Sequence, residues 1–284
     1  MELSDRKGIV LMIIAMLTIP LVDGIAKFLS SEFSPLFISW ARYAVACFFV
    51  LPFAFIKRGT DIFPKEKLGI HFLRTVFLVS AMALYFISIS LIPLATAISA
   101  YFIGPIVAVV LGVFFLKEKL TAIKLLSLFL GFAGSMVILN PGSTWDPGIV
   151  MAFGSGCLFA LYMITSRMTS VESDPIKTLA LQCVMGSALL FPFAFIFWKL
   201  PSLDYLHLYL GLGLFSAIGH IMTIYAFRFA DASTLAPLVY VELVATVLVG
   251  YFVFYEVPSI STTFGAMLIV LSGLLLFKIK SRGV

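Results

Sequence analysis

Residues 52–56 read Pro52-Phe53-Ala54-Phe55-Ile56, and 140 positions later residues 192–196 read Pro192-Phe193-Ala194-Phe195-Ile196. The same offset brings Gly8-Ile9-Val10 onto Gly148-Ile149-Val150, Lys27 onto Arg167, Glu32 onto Glu172 and Pro35 onto Pro175. Further along, an offset of 138 brings Gly112 onto Gly250 and Glu118 onto Glu256. Chance produces one such block, but hardly an ordered series. The chain therefore reads as two copies of one unit, residues 1–140 and 141–284.

Composition says what kind of unit this is. Of 284 residues, 62% are hydrophobic and 12% charged, whereas a soluble domain carries roughly 25% charged residues. There is one Asn (Asn140) and one Gln (Gln182), and the mean hydropathy is +1.13. These figures exclude a disordered chain, a secreted disulfide scaffold and an ordinary cytosolic enzyme. A porin-type barrel alternates apolar and polar residues along each strand, a pattern this chain lacks. What remains is an all-α multi-pass membrane protein, with the lipid bilayer as its solvent.

Sliding along the chain gives ten apolar runs, roughly 8–28, 35–56, 70–91, 94–116, 121–139, 147–166, 175–198, 205–229, 234–255 and 259–277, each about the 20 residues that a spanning helix needs. The first run follows Asp5-Arg6-Lys7 as a signal peptide would. No A-x-A site follows it, however, and it continues into Val22-Asp23-Gly24, so this helix is expected to be retained. With the N-terminus in the cytoplasm, the inner segments hold fifteen of the nineteen Lys and Arg residues, and the outer segments only Lys27 and Lys199. Such asymmetry predicts that both termini are cytoplasmic. It also accounts for the net charge of +5 through lipid headgroups, so no nucleic-acid partner is expected. Five spans per copy is an odd number, so the second copy must be inverted in the membrane. Inverted repeats are the architecture of carriers that expose one site alternately to either side.

At this point the chain resembles the drug/metabolite transporter superfamily, in its EamA-type ten-helix branch. The resemblance covers essentially the whole chain. It is carried by Trp40-Ala41-Arg42-Tyr43 early in the second run, Pro93-Leu94-Ala95-Thr96-Ala97 opening the fourth, and Phe114-Phe115-Leu116-Lys117-Glu118-Lys119-Leu120-Thr121 closing it, echoed by Tyr255-Glu256. Asp23-x-x-x-Lys27 in the first run is similar to the branch that contains S-adenosylmethionine and riboflavin uptake carriers. The resemblance implies a central cavity between the halves, the fifth and tenth helices outermost, a small-molecule substrate, no cofactor and a place in the bacterial inner membrane. Whether the protein is a monomer or a homodimer stays open at this level.

Intramembrane charges cost about 2.5–3.5 kcal/mol each at the centre of a span, so they mark sites or demand partners. His220 lies eleven residues before Asp231, and Glu242 eleven after it. If the eighth and ninth runs form an antiparallel hairpin, both sit about 16 Å from its turn, near the midplane. Glu242 is the first candidate for a substrate cation or a proton, with His220 beside it. The alternative is a structural Glu–His hydrogen bond. Asp23 and Arg42 are each roughly 7–11 Å from the outer ends of their runs and within reach of pairing, either as a structural ion pair or as a substrate contact. Lys27 then snorkels to the headgroups. Tyr85 and Tyr101 lie eight residues either side of Pro93 and share a level. With Trp40, Tyr225 and Tyr240 they offer faces for a planar or cationic ligand, though membrane aromatics also serve as packing and interfacial anchors. Glu118 and Glu256 occupy matching helix ends, where each has backbone N–H groups of a neighbouring helix to accept from, in a gating or structural role. Pro20, Pro105 and Pro237 are expected to kink their runs.

Cys47, Cys157 and Cys183 form no CxxC and read as free buried thiols. His71, His207 and His220 are far apart, so no metal site is expected. No GxxxxGK[ST] is present for ATP, and no HExxH or nucleophile elbow for catalysis. The sequence therefore predicts a secondary carrier of a small organic metabolite, such as S-adenosylmethionine or a flavin, rather than an enzyme. Export of aromatic amino acids or drugs is the alternative; a membrane-embedded enzyme or a channel fits less well.

Overall fold

The computed structural model describes residues 3–92, 94–139, 146–199, 203–254 and 260–279. Among them the structure is all-helical, in chain order α1 (Leu3–Leu29), α2 (Pro35–Arg58), α3 (Leu68–Leu91), α4 (Leu94–Tyr101), α5 (Ile103–Leu116), α6 (Ala122–Leu139), α7 (Pro147–Ser170), α8 (Pro175–Ile196), α9 (Leu206–Phe229), α10 (Ala232–Leu235), α11 (Val241–Phe254) and α12 (Ile260–Ile279). Short 3-10 segments cover Leu203–Tyr205 and Ala236–Tyr240. Seven helical stretches of the described residues are long and apolar enough to cross a membrane, and Ile103–Leu116, Ala122–Gly134 and Thr263–Ser272 are shorter apolar helices.

Helix starts follow local chemistry. Asp174 precedes Pro175, and its carboxylate accepts from the backbone N–H groups of Ile176 and Lys177. Asp146 precedes Pro147 and accepts from Gly148. An acidic cap followed by proline at the first helical position satisfies the free N–H groups and pre-sets φ.

Two of the runs expected to kink at proline are broken. The run 94–116 divides at Phe102 into α4 and α5, with Pro105 in the first turn of α5, where a missing N–H is tolerated. The run 234–255 passes through α10 and the 3-10 segment Ala236–Tyr240, which contains Pro237, before α11 begins. Pro20, by contrast, lies inside a continuous α1. Phe102 and Tyr240 are related by the 138 offset and meet at the two breaks. Their ring centroids are 5.2 Å apart, edge to face, and the Tyr240 hydroxyl donates to the Phe102 carbonyl at 3.3 Å.

The dominant packing crosses between the N-terminal and C-terminal parts of the chain. α1 packs on α9 and α11, while α7 packs on α3 and α5, the same relation with the parts exchanged. α2 packs on α8 and α9, and α6 on α12. At the α6–α12 contact, Ser127 Oγ donates to the Ser272 carbonyl at 2.9 Å and Ser272 Oγ to the Ser127 carbonyl at 2.7 Å. Where α7 passes α4 and α5, the backbones nearly touch. A Cβ on Gly156 would lie 2.2 Å from the Tyr101 carbonyl oxygen, and one on Gly104 2.7 Å from that of Gly156. Lipid gives helices no hydrophobic reason to associate, so small residues that allow such approach carry the packing.

Burial is inverted relative to a water-soluble protein. Phe48, Phe55, Phe114, Phe129 and Phe252 are exposed, while Asp23, Arg42, Arg74, His220 and Glu242 are buried. An apolar exterior around a charged interior is the pattern of a protein surrounded by lipid. Cys183 is buried, Cys47 and Cys157 are half-buried, and all three are free thiols.

Candidate functional site

The charged interior converges on an enclosed cavity of about 20 Å³. Asp23 and Ile19 enter from α1, Arg42 from α2, and Leu78, Met82 and Tyr85 from α3. Tyr101 closes it from α4, Phe159 and Tyr162 from α7, His220 and Thr223 from α9, and Glu242 from the first turn of α11. The break before α11 puts Glu242 at a helix N-terminus, where backbone N–H groups favour a negative charge. Room for a water begins at about 10–15 Å³, so the cavity in this state admits little more than one.

Arg42 is 1% exposed. Its Nε donates to Ser216 Oγ at 2.6 Å, and its Nη2 lies 2.7 Å from His220 Nε2. The expected pairings are therefore rearranged. Arg42 gives these hydrogen bonds to α9, and Asp23 Oδ2 has no partner among the described residues. Nor are α9 and the helix bearing Glu242 a simple hairpin: both pack along α1. His220 and Glu242 still line the same cavity, because α1 carries Asp23 between them. Tyr85 and Tyr101 come together at 5.2 Å between centroids, and Tyr101 continues to Phe159 at 5.2 Å and Phe159 to Tyr162 at 5.5 Å, forming one aromatic wall.

Other sequence candidates lie elsewhere. Trp40 joins a cluster with Phe37, Phe191 and Trp198 and is absent from the cavity lining. Tyr225 lies within electrostatic range of Arg58, away from the cavity, and Tyr240 packs on Phe102. Lys27 is partly exposed in the last turn of α1, one turn past Asp23. Glu118 accepts from the N–H groups of Ala232 and Ser233 at 3.0 and 2.8 Å; Glu256 lies outside the described residues. Arg74, Gln182, Ser166 and Ser216 are buried polar residues to which sequence reasoning gave no role. The signal for Arg74 was its charge inside an apolar run; for Gln182, its standing alone of its type.

Both ends of the bundle are fastened by ion pairs between the two parts of the chain. At the face of the α2–α3 and α7–α8 loops, Arg58 meets Asp174 and Lys67 meets Glu172, each at 2.5 Å, and Lys177 holds Asp61, which Lys65 of the same loop also approaches at 3.3 Å. On the same face Asp231 takes Arg167 at 2.9 Å and Lys124 at 3.6 Å. Hydrogen bonds and charge from Lys177 and Lys65 hold the Asp61 carboxyl below the usual carboxylate range. Burial works to raise Asp174, but the Arg58 bond and the N–H groups of Lys177 and Ile176 outweigh it, so it too sits low. At the opposite face, among the described residues, Lys199 meets Glu32 at 3.1 Å.

Crossed helices with two broken spans, and charges gathered from both parts of the chain around one central cavity, define a polytopic membrane protein. The EamA-like transporter family model matches the chain twice, over residues 6–140 and 146–278, and the chain belongs to that family. It is 27% identical over 249 residues to an S-adenosylmethionine uptake transporter of Rickettsia conorii, an alignment covering 87% of this chain and 84% of that one. With the S-adenosylmethionine uptake transporter of Rickettsia prowazekii it shares 26% over 264 residues, 93% of this chain and 90% of that one. With the riboflavin transporter of Vibrio cholerae it shares 25% over 275 residues, 94% and 91%. A solved crystal structure superposes with a TM-score of 0.80 at 18% identity and 99% coverage of both chains.

Proposed function

We propose that the protein is a secondary carrier moving a small cationic metabolite of the S-adenosylmethionine type across the bacterial inner membrane by alternating access. In this reading ten spans form two inverted five-helix repeats, residues 1–140 and 141–284, with both termini in the cytoplasm. The observation that carries it is the pair of carboxylates, Asp23 from the N-terminal part and Glu242 from the C-terminal part, lining one central cavity. A positively charged group held between them gains two opposite charges where water is excluded. The aromatic wall from Tyr85 to Tyr162 supplies a face for an adenine ring or a cation.

A ligand of nucleoside size needs a pocket of roughly 300 Å³ or more, so the 20 Å³ cavity represents a closed state. Opening requires one set of terminal ion pairs to part while the other holds. The names of the relatives support the substrate class. They also favour a second reading, riboflavin, whose planar ring suits the same wall; export of aromatic amino acids or drugs remains its directional rival.

Counterflow in proteoliposomes tests the proposal. Vesicles preloaded with unlabelled S-adenosylmethionine should accumulate the labelled compound saturably, and riboflavin should not compete. Riboflavin exchange without S-adenosylmethionine exchange selects the second reading. Exchange of neither overturns both.

A further inference from the structure

Arg74 is fully buried, at 0% exposure, and has no acidic partner among the described residues. Its Nε donates to Ser166 Oγ at 2.8 Å and its Nη2 to the Tyr162 hydroxyl at 3.4 Å. The guanidinium carbon stands 5.1 Å from the centroid of the Tyr162 ring. Nη1 has no hydrogen-bond partner among the described residues, and the same is true of both amide atoms of Gln182 and of the Tyr43 hydroxyl. Gln182 is also at 0% exposure and Tyr43 at 1%.

The helices that carry these groups meet, since α8 packs on both α2 and α3. A Cβ on Gly186 of α8 would lie 2.6 Å from the Tyr43 ring, and Gln182 comes four residues, about one helical turn, earlier on α8. Tyr43 is within electrostatic range of Arg42, Tyr162 and Arg74. Arg167 and Lys124 share Asp231, and Arg42, whose Nη1 is likewise unpartnered, lines a cavity with Asp23 and Glu242. Arg74 lacks this. It packs on the Tyr162 ring, which lines the cavity, six residues into α3 and about 9 Å from the face of the α2–α3 loop. A buried guanidinium donor left unpaired is costly unless a bound group completes it. Forked guanidinium donors beside an amide and a phenol are the donor set for a carboxylate.

We propose that Arg74, with Gln182 and Tyr43, is a seat for the carboxylate of the transported molecule, so that the substrate class is a cation bearing an α-amino-acid end. The inference rests on the reading of the protein as a carrier for an S-adenosylmethionine-like metabolite. The acidic pair then holds the sulfonium, and Arg74, which packs on the Tyr162 ring of the cavity wall, holds the carboxylate.

Binding measurements on the purified full-length chain test this, using S-adenosylmethionine and its decarboxylated analogue as probes. Wild type should bind S-adenosylmethionine at least tenfold more tightly than the analogue. Arg74→Gln should bind the analogue as wild type does and lose the tenfold preference, the analogue serving as the control for folding. If Arg74→Gln does not yield folded protein, Arg74→Lys keeps the charge and removes the fork, and its preference should fall severalfold. Undiminished discrimination in a folded Arg74 variant, or equal weakening of both probes, overturns the carboxylate seat alone. Failure of wild type to bind either probe overturns the substrate reading and the seat with it.

Discussion

Arg42 Nη2 and His220 Nε2 approach to 2.7 Å across the α2–α9 contact. Arginine has only donors, so His220 must accept at Nε2 and carry its proton on Nδ1. His220 is therefore a neutral acceptor that, with Ser216, aims the guanidinium at the cavity, rather than a second cation there.

His220→Gln retains an acceptor oxygen and should keep S-adenosylmethionine counterflow within severalfold of wild type. His220→Leu leaves a buried guanidinium donor unsatisfied, a loss of about 1–3 kcal/mol, and should depress both counterflow and the thermal midpoint. Equal behaviour of the two variants would remove His220 from this role.

Glu242→Gln is nearly isosteric and removes one negative charge from the cavity wall. Truncating one partner of a buried charge pair costs about 2–5 kcal/mol, so affinity for S-adenosylmethionine should fall by roughly 30-fold or more, with the protein still folded in the membrane. Titration of binding by calorimetry checks this; wild-type affinity would exclude Glu242 from the site.

Gly156→Ala drives a Cβ to within 2.2 Å of the Tyr101 carbonyl and 3.0 Å of Ile103 Cγ2. Overpacking of this kind costs about 1–3 kcal/mol, so the thermal midpoint should drop. Gly154→Ala, two residues earlier on the same helix, meets nothing nearer than Leu84 Cδ1 at 3.8 Å and should be tolerated.

The Asp174 carboxyl sits below the usual range when folded. Its stabilising contribution is complete above the unfolded value of about 3.9 and is lost as pH falls through the lower folded one. The difference in thermal midpoint between wild type and Asp174→Asn should therefore be constant from pH 5 to 8 and vanish in stronger acid. Asp174→Ala, which also loses the cap on Ile176 and Lys177, should be less stable than Asp174→Asn by about 1 kcal/mol. Differential scanning fluorimetry across pH resolves both.

Much of this architecture is legible in the sequence because membranes restrict the choices. Helix existence follows from unbroken apolar length, and the observed starts at Pro35, Pro147 and Pro175 fall where the sequence places them. The family was readable from Arg42 and the Glu118 segment, and Asp23 and Lys27 pointed to the uptake carriers that the chain resembles. Which helices touch was not readable. Chain order suggests hairpins, but α1 packs on both α9 and α11, and α2 packs on α9, so Arg42 hydrogen-bonds to His220 and not to Asp23. Pro105 announced a break in the run 94–116, but not its place at Phe102, where the contact with Tyr240, 138 positions later, sits at the bend. Arg74 and Gln182 showed only as isolated polar residues, since their meaning lies in what each lacks.

The crossed packing also bears on how the protein is made. Ser216 and His220, which hold Arg42, come 174 and 178 positions after it, and Ser166 comes 92 after Arg74. When the first spans leave the ribosome, their arginines have no companions, and most of the mature contacts await the rest of the polypeptide. The buried arginines of the early spans therefore acquire these hydrogen bonds only once the later helices have been made.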